Sequence, residues 1–159
     1  MIYLLIAAAV FFLDFFLKRY MEDHLEENGE PKEALGGKIF LQRMKNSGSA
    51  GGFFHEDSKK VKVVTTAAFG VTALSFLIVL FQKGKHLTKL ALAFLTGGGA
   101  GNMTDRWTHG YVTDFLRIRT GIGKIGRLVF NAADLFIFLG SILAVIGSLL
   151  PGGKSGREK

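Results

Sequence analysis

Residues 63–81 read Val-Val-Thr-Thr-Ala-Ala-Phe-Gly-Val-Thr-Ala-Leu-Ser-Phe-Leu-Ile-Val-Leu-Phe, a run with no charge and no proline. A hydrocarbon core about 30 Å thick needs roughly 20 apolar residues per helix, so this run is long enough to cross a bilayer. Its neighbours repeat the pattern. Apolar residues make up 48% of the 159-residue chain and charged residues 21%, and the two are segregated into alternating blocks. That alternation predicts a polytopic membrane protein of one domain rather than a soluble one.

Three further spans follow from the same reading: 2–17, closed by Lys18 and Arg19; 87–102, running into Gly97-Gly98-Gly99; and 128–150, closed by Pro151-Gly152-Gly153. The first run lacks a preceding basic segment and a following small-residue cleavage site, which argues against a signal peptide. Four spans place both termini on one side. The 82–89 connection holds Lys83, Lys85 and Lys89 with no acid, and the tail holds Lys154, Arg157 and Lys159. By the positive-inside rule both face the cytoplasm, and segments 18–62 and 103–127 face outward. A charged stretch from Glu22 to Glu33 is expected to prolong the first helix. Lys38 to Phe54 reads as strand and turn, a small sheet on the outer surface. The expected fold is thus an all-α membrane protein, a four-helix bundle with a small extracytoplasmic β-cradle.

The net charge of +7 is distributed beside the spans. No basic patch with interleaved aromatics appears, so nucleic acid is not an expected partner, whereas anionic lipid is. With no cysteine, thiolate nucleophiles and cysteine-ligated metals are excluded. His24, His55, His86 and His109 lack ligand spacing and read as surface or interfacial residues.

Ionisable residues at or within spans are costly and face a bundle interior or cavity. Asp14 and Lys18 share a helix face at the favourable acid-before-base spacing. Two readings stay open for them, an interfacial ion pair or a role facing substrate. In Gly97 to Arg106, the glycines suit close helix packing, and no Gly-Lys-Ser/Thr supports phosphate binding. Asn102 and Arg106 share a face; the arginine suits carbonyl oxygens, with Asp105 expected to hold it. Asp114 lies between Val112 and Phe115. Asp134 follows Asn131 one turn into the last span. Either alone reads as a helix cap or a surface charge; two carboxylates at the same membrane face, flanking one loop, fit that reading less well.

Five blocks in order carry a resemblance: Asp14-x-x-x-Lys18, Asn46-x-Gly48-x-Ala50, Gly101-Asn102-x-x-Asp105-Arg106, Gly110-x-Val112-x-Asp114-Phe115 and Phe130-Asn131-x-Ala133-Asp134. Along almost its whole length the chain resembles the bacterial lipoprotein signal peptidases, signal peptidase II. The resemblance implies a membrane aspartyl endopeptidase of the cytoplasmic (inner) membrane. It would cleave prolipoproteins before a diacylglyceryl-modified cysteine, with Asp114 and Asp134 as the catalytic dyad. It implies that Asn46, Asn102, Arg106 and Asn131 surround a substrate and inhibitor pocket. The expected substrate-binding set also takes in Asp14, Lys18, Gly48 and Asp105. No cofactor or metal is expected, and a monomer is.

Two departures stand out. Gly51-Gly52-Phe53 replaces the aromatic usual after Ala50, and 119–128 is rich in glycine and basic residues, suiting a lid or a lipid contact. The rival reading is a metal-dependent lipid phosphotransferase with Asp105, Asp114 and Asp134 around magnesium; a catalytically inactive scaffold is the other. A serine mechanism lacks its Gly-x-Ser-x-Gly elbow.

Overall fold

The computed structural model describes residues 1–48, 58–120, 126 and 128–149. Among them the order is α1 (Ile2–His24), β1 (Lys32–Ala34), β2 (Ile39–Asn46), α2 (Ser58–Leu80), α3 (His86–Thr108), β3 (Val112–Ile118), β4 (Val129–Phe130) and α4 (Ala132–Leu149). The fold is mostly helical, with one four-stranded antiparallel sheet in the order β1-β2-β3-β4.

Helix α3 is the hub, and its three consecutive glycines explain how. Successive residues on a helix point about 100° apart, so Gly97, Gly98 and Gly99 face three directions. A Cβ at Gly97 would stand 2.5 Å from the Ala7 carbonyl oxygen and 2.8 Å from Val10 Cβ, both on α1. One at Gly98 would stand 2.7 Å from the Ala133 carbonyl oxygen on α4, and one at Gly99 would stand 3.1 Å from Phe69 on α2. Gly140 of α4 returns the contact, 2.9 Å from the Ala91 carbonyl oxygen. Without side chains in the way, backbones approach closely enough for dispersion to hold helices together in a solvent that supplies no hydrophobic drive. The sequence predicts a third span ending just past these glycines, at 102. Instead α3 continues to Thr108, because each glycine is held by a neighbour.

The outer surface of the bundle is apolar. Val63, Val64, Val71, Leu74, Leu77 and Ile78 of α2 are each more than half exposed, as are Phe138 and Val145 of α4. A patch of that extent is untenable in water. The segments Lys59–Leu80 and Ala132–Leu149 are long and apolar enough to cross a membrane. Trp107 at the end of α3 donates to Thr66 Oγ1 at 2.9 Å and lies 3.9 Å under the Lys62 ammonium, tying α3 to the start of α2. Aromatic and basic residues of this kind are at home where bilayer meets water.

Several boundaries differ from expectation. Helix α1 extends past Lys18 but stops at His24 rather than Glu33. Leu25 is extended and buried there, with its N–H bonded to the Met21 carbonyl. Helix α4 starts at Ala132, since Val129 and Phe130 pair with β3. Lys89 is not a loose charge of the connection: it is buried in α3 and donates to the Gln82 carbonyl. The largest difference is in 103–127, expected to face outward with no helix or strand assigned to it. His109 bonds back to Asp105 O, Gly110 adopts φ +82°, which reverses the chain after the helix, and β3 begins two residues later.

Candidate active site

The site grows from the first turn of α4. Asn131 precedes the helix, and its Oδ1 accepts from the Asp134 N–H at 2.9 Å; Asp134 Oδ2 in turn accepts from the Asn131 N–H at 3.3 Å. This is a reciprocal capping box built from Asn and Asp, which satisfies two backbone donors and fixes where the Asp134 carboxylate points. A third N–H of that turn, from Ala133, donates to Asp14 Oδ1 at 2.8 Å, so α1 caps α4 as well. Asp14 is wholly buried, and the space it occupies exists because Gly101 has no side chain: a Cβ there would collide with Asp14 Oδ2.

The second carboxylate comes from the sheet. Asn46 pairs with Val112 and Met44 with Asp114 across β2 and β3, so Asn46 and Asp114 are diagonal neighbours on one face. The Asn46 amide is oriented locally, because its Oδ1 accepts from the Gly48 N–H at 3.0 Å. Its Nδ2 then donates to Asp114 Oδ2 at 2.8 Å. The opposite face of β3 is tied to α1 by Thr113, whose hydroxyl donates to Glu22 Oε1 at 2.6 Å. Val112, Thr113, Asp114 and Phe115 are all buried.

Asn131 joins the two halves. Its Nδ2 donates to Asp114 Oδ1 at 2.7 Å, while its backbone N–H serves Asp134. The same Nδ2 lies 3.1 Å from Asn102 Oδ1, and Asn102 Nδ2 donates to Asp134 Oδ1 at 2.8 Å. Burial pushes the Asp114 carboxyl up to about 7, with the nearby Asp134 charge raising it too; the amides of Asn46 and Asn131 and the Lys18 charge pull the other way. Two carboxylates placed so can hold one proton between them near neutral pH, which is what a paired acid and base require.

Behind this pair lies an ion cluster. Lys18 Nζ stands 2.7 Å from Asp14 Oδ2 and 2.9 Å from Asp105 Oδ2, and donates to Asn102 Oδ1 at 3.0 Å. The expectation that Asp105 holds Arg106 is therefore corrected: Asp105 turns to Lys18. Arg106 instead donates to the carbonyl oxygens of Gly48 at 3.3 Å and Asn102 at 3.4 Å, so it does engage carbonyls, but those of the chain itself. Asp105 is also drawn away from the set that would hold magnesium. No group of three His, Cys, Asp or Glu suited to a metal occurs among the described residues.

The structure thus gathers Asp14, Lys18, Asn46, Gly48, Asn102, Asp105, Arg106, Asp114, Asn131 and Asp134 into one connected network. A cleft of about 260 Å³ reaches Asn102 and Arg106 between α2, α3 and α4, walled by Thr65, Phe69, Met103 and Ile137. Nothing in the sequence distinguishes those walls from other span residues. Thr113 and Glu22 escape sequence reasoning too, since only the sheet brings them together. Gly51, Gly52 and Phe53 lie outside the described residues, as do 121–125 and 127 of the glycine-rich segment. His24, His86 and His109 are exposed; His55 lies outside the described residues.

Comparison with known proteins points the same way. A family model described as signal peptidase (SPase) II matches residues 6–150. A lipoprotein signal peptidase of Moorella thermoacetica is 36% identical, the match covering 98% of each chain. One of Caldicellulosiruptor bescii is 30% identical over 97% of this chain and 95% of its own, and one of Listeria welshimeri is 30% identical over 92% of each. Two solved structures described as bacterial membrane enzymes share the fold, at TM-scores of 0.80 and 0.79. Each is 20% identical; the matches cover 99% and 94% of this chain and 93% and 94% of theirs. The chain belongs to the signal peptidase II family.

Proposed function

We propose that Asp114 and Asp134 are the catalytic pair of this membrane aspartic peptidase, whose family removes signal peptides from prolipoproteins. The bond cleaved is the one preceding a diacylglyceryl-modified cysteine. The observation that carries the assignment is Asn131, which donates to Asp114 through its side chain and to Asp134 through its backbone. Asp114 holds the shared proton and directs it at the scissile carbonyl oxygen. Asp134, set by the α4 capping box, takes a proton from the attacking water. The C–N bond of the tetrahedral intermediate then breaks as Asp134 passes its proton to the departing amine and a hydroxyl of the intermediate returns one to Asp114, which restores the pair to its starting state.

The whole chain is read as a single membrane domain. Helices α1 and α3 cross alongside α2 and α4, with Asp14, Lys18 and Asp105 turned inward to the buried cluster at one end of the bundle and Lys89 buried near the other. Lys83 and Lys85 mark the opposite end as cytoplasmic, with both termini there. The sheet and the carboxylate pair then lie at the outer leaflet of the bacterial cytoplasmic membrane, where Arg106 and the cleft beside it receive the substrate chain.

The test uses detergent-solubilised enzyme and a diacylated peptide. Asp114→Asn and Asp134→Asn should each abolish cleavage with the thermal unfolding midpoint preserved. Substantial cleavage by either variant would sink the assignment.

A further inference from the structure

An ammonium group has three N–H donors and no acceptor. Lys18 donates to Asn102 Oδ1 at 3.0 Å and is ion-paired with Asp14 Oδ2 and Asp105 Oδ2, and its side chain is 4% exposed. Enclosed by these three groups of the chain, the ammonium is out of reach of a substrate. Yet a buried ion cluster rarely adds net stability over well-packed apolar groups, so stability alone is a weak reason for it.

Asn102 supplies another. Its amide has two ends of similar shape and opposite polarity, and either could face the carboxylate pair. With a cation against Oδ1, a flipped amide would press its NH2 on the ammonium and its oxygen on Asp134. Both contacts would be repulsive. The cation, together with Asn131 Nδ2 at 3.1 Å from the same oxygen, therefore selects the orientation in which Asn102 Nδ2 donates to Asp134 Oδ1 at 2.8 Å. Asp14 and Asp105 hold the ammonium at that spot from α1 and α3.

We propose that Lys18 is a positioning residue for the peptidase reaction, acting on Asp134 through the Asn102 amide without touching substrate. The proposal rests on the reading of Asp114 and Asp134 as the catalytic pair. Among the described residues, the charged groups around that pair are Asp14 and Lys18 from α1 and Asp105 and Arg106 from α3; β2 contributes the uncharged Asn46.

Cleavage of a diacylated peptide by Lys18→Gln, Asn102→Ala and the double variant tests it. Lys18→Gln should lower kcat on the order of 10- to 100-fold, the usual cost of losing an outer partner of a catalytic group. KM should stay within about twofold. The alkaline limb of the pH profile should move to higher pH, because a cation near the pair has been removed. The double variant should be no slower than Asn102→Ala alone, since the relay is already cut. A raised KM at unchanged kcat would overturn the proposal in favour of substrate contact. Additive losses, or a lower kcat with the alkaline limb unmoved, would overturn it too. Should Lys18→Gln prove unfolded, the Asp14→Asn/Lys18→Gln/Asp105→Asn variant leaves no buried ion unpaired. Its kcat, its KM and its additivity with Asn102→Ala then support or overturn the proposal by the same criteria. The catalytic pair fails separately, through cleavage by Asp114→Asn or Asp134→Asn, so the two failures are distinguishable.

Discussion

At Asp114 a strand delivers a carboxylate into a place with little water, and its proton affinity follows from that. The group holds its proton up to about pH 7, where a free aspartate would have lost it. If Asp114 must be protonated for turnover, activity declines as pH rises through about 7. The amide of Asn46 favours the ionised form, so removing it makes the proton harder to lose. Asn46→Ala should therefore shift the alkaline limb to higher pH, which a pH-rate profile on the diacylated peptide reads directly; a shift to lower pH would contradict this role of the amide. Asp14, Asn102, Asp105, Asp114, Asn131 and Asp134 are legible in the sequence as polar residues within or beside apolar stretches, whereas Asn46 is legible only through the family resemblance. Their pairing is not. That Asp105 serves Lys18 rather than its neighbour Arg106 depends on how α1 is rotated against α3, and no spacing within either segment encodes it.

The elements are unevenly legible for a physical reason. Helices of lipid-facing character announce themselves by length and absence of charge, and all four have an apolar stretch to find, although α1 and α3 run on past theirs to His24 and Thr108. Strand β3 does not, since Val112 to Phe115 are buried on both faces and lack the alternation that marks a half-exposed strand. Strands β1 and β4 are too short to carry any period. The glycines of α3 read as packing residues, but their division among three partners is visible only in the assembled bundle. That division makes a sharp prediction. Gly98→Val would drive a side chain into the Ala133 carbonyl and Ile137, next to Asp134. It should destabilise the bundle by about 1–3 kcal/mol or more, the range for overpacking. Thermal unfolding in detergent measures it, with the open Gly70→Ala position as the control expected to change little.

Over the whole molecule, the network occupies one end of the bundle, while the Tyr3 hydroxyl meets His86 at 2.7 Å near the other. Orientation in the membrane is then a single binary choice. The absence of cysteine makes it easy to test. In intact cells a membrane-impermeant maleimide should label Glu30→Cys and leave Lys83→Cys unlabelled until the membrane is opened. The reverse pattern would turn the molecule over. Because segment 18–62 mixes acids and bases, only the shorter connections in the sequence argue for one orientation.

Helix α3 carries the packing glycines, 97 to 101, directly followed by Asn102, Asp105 and Arg106. Structure and chemistry are thereby written on one rod in successive turns. A ligand wedged between α3 and a neighbour would turn or slide that rod, and the amide facing Asp134 would move with it. An inhibitor of this enzyme need not resemble its substrate, because a lipophilic wedge at the glycine seam would push α3 away from Ala133 and so displace the amide that faces Asp134.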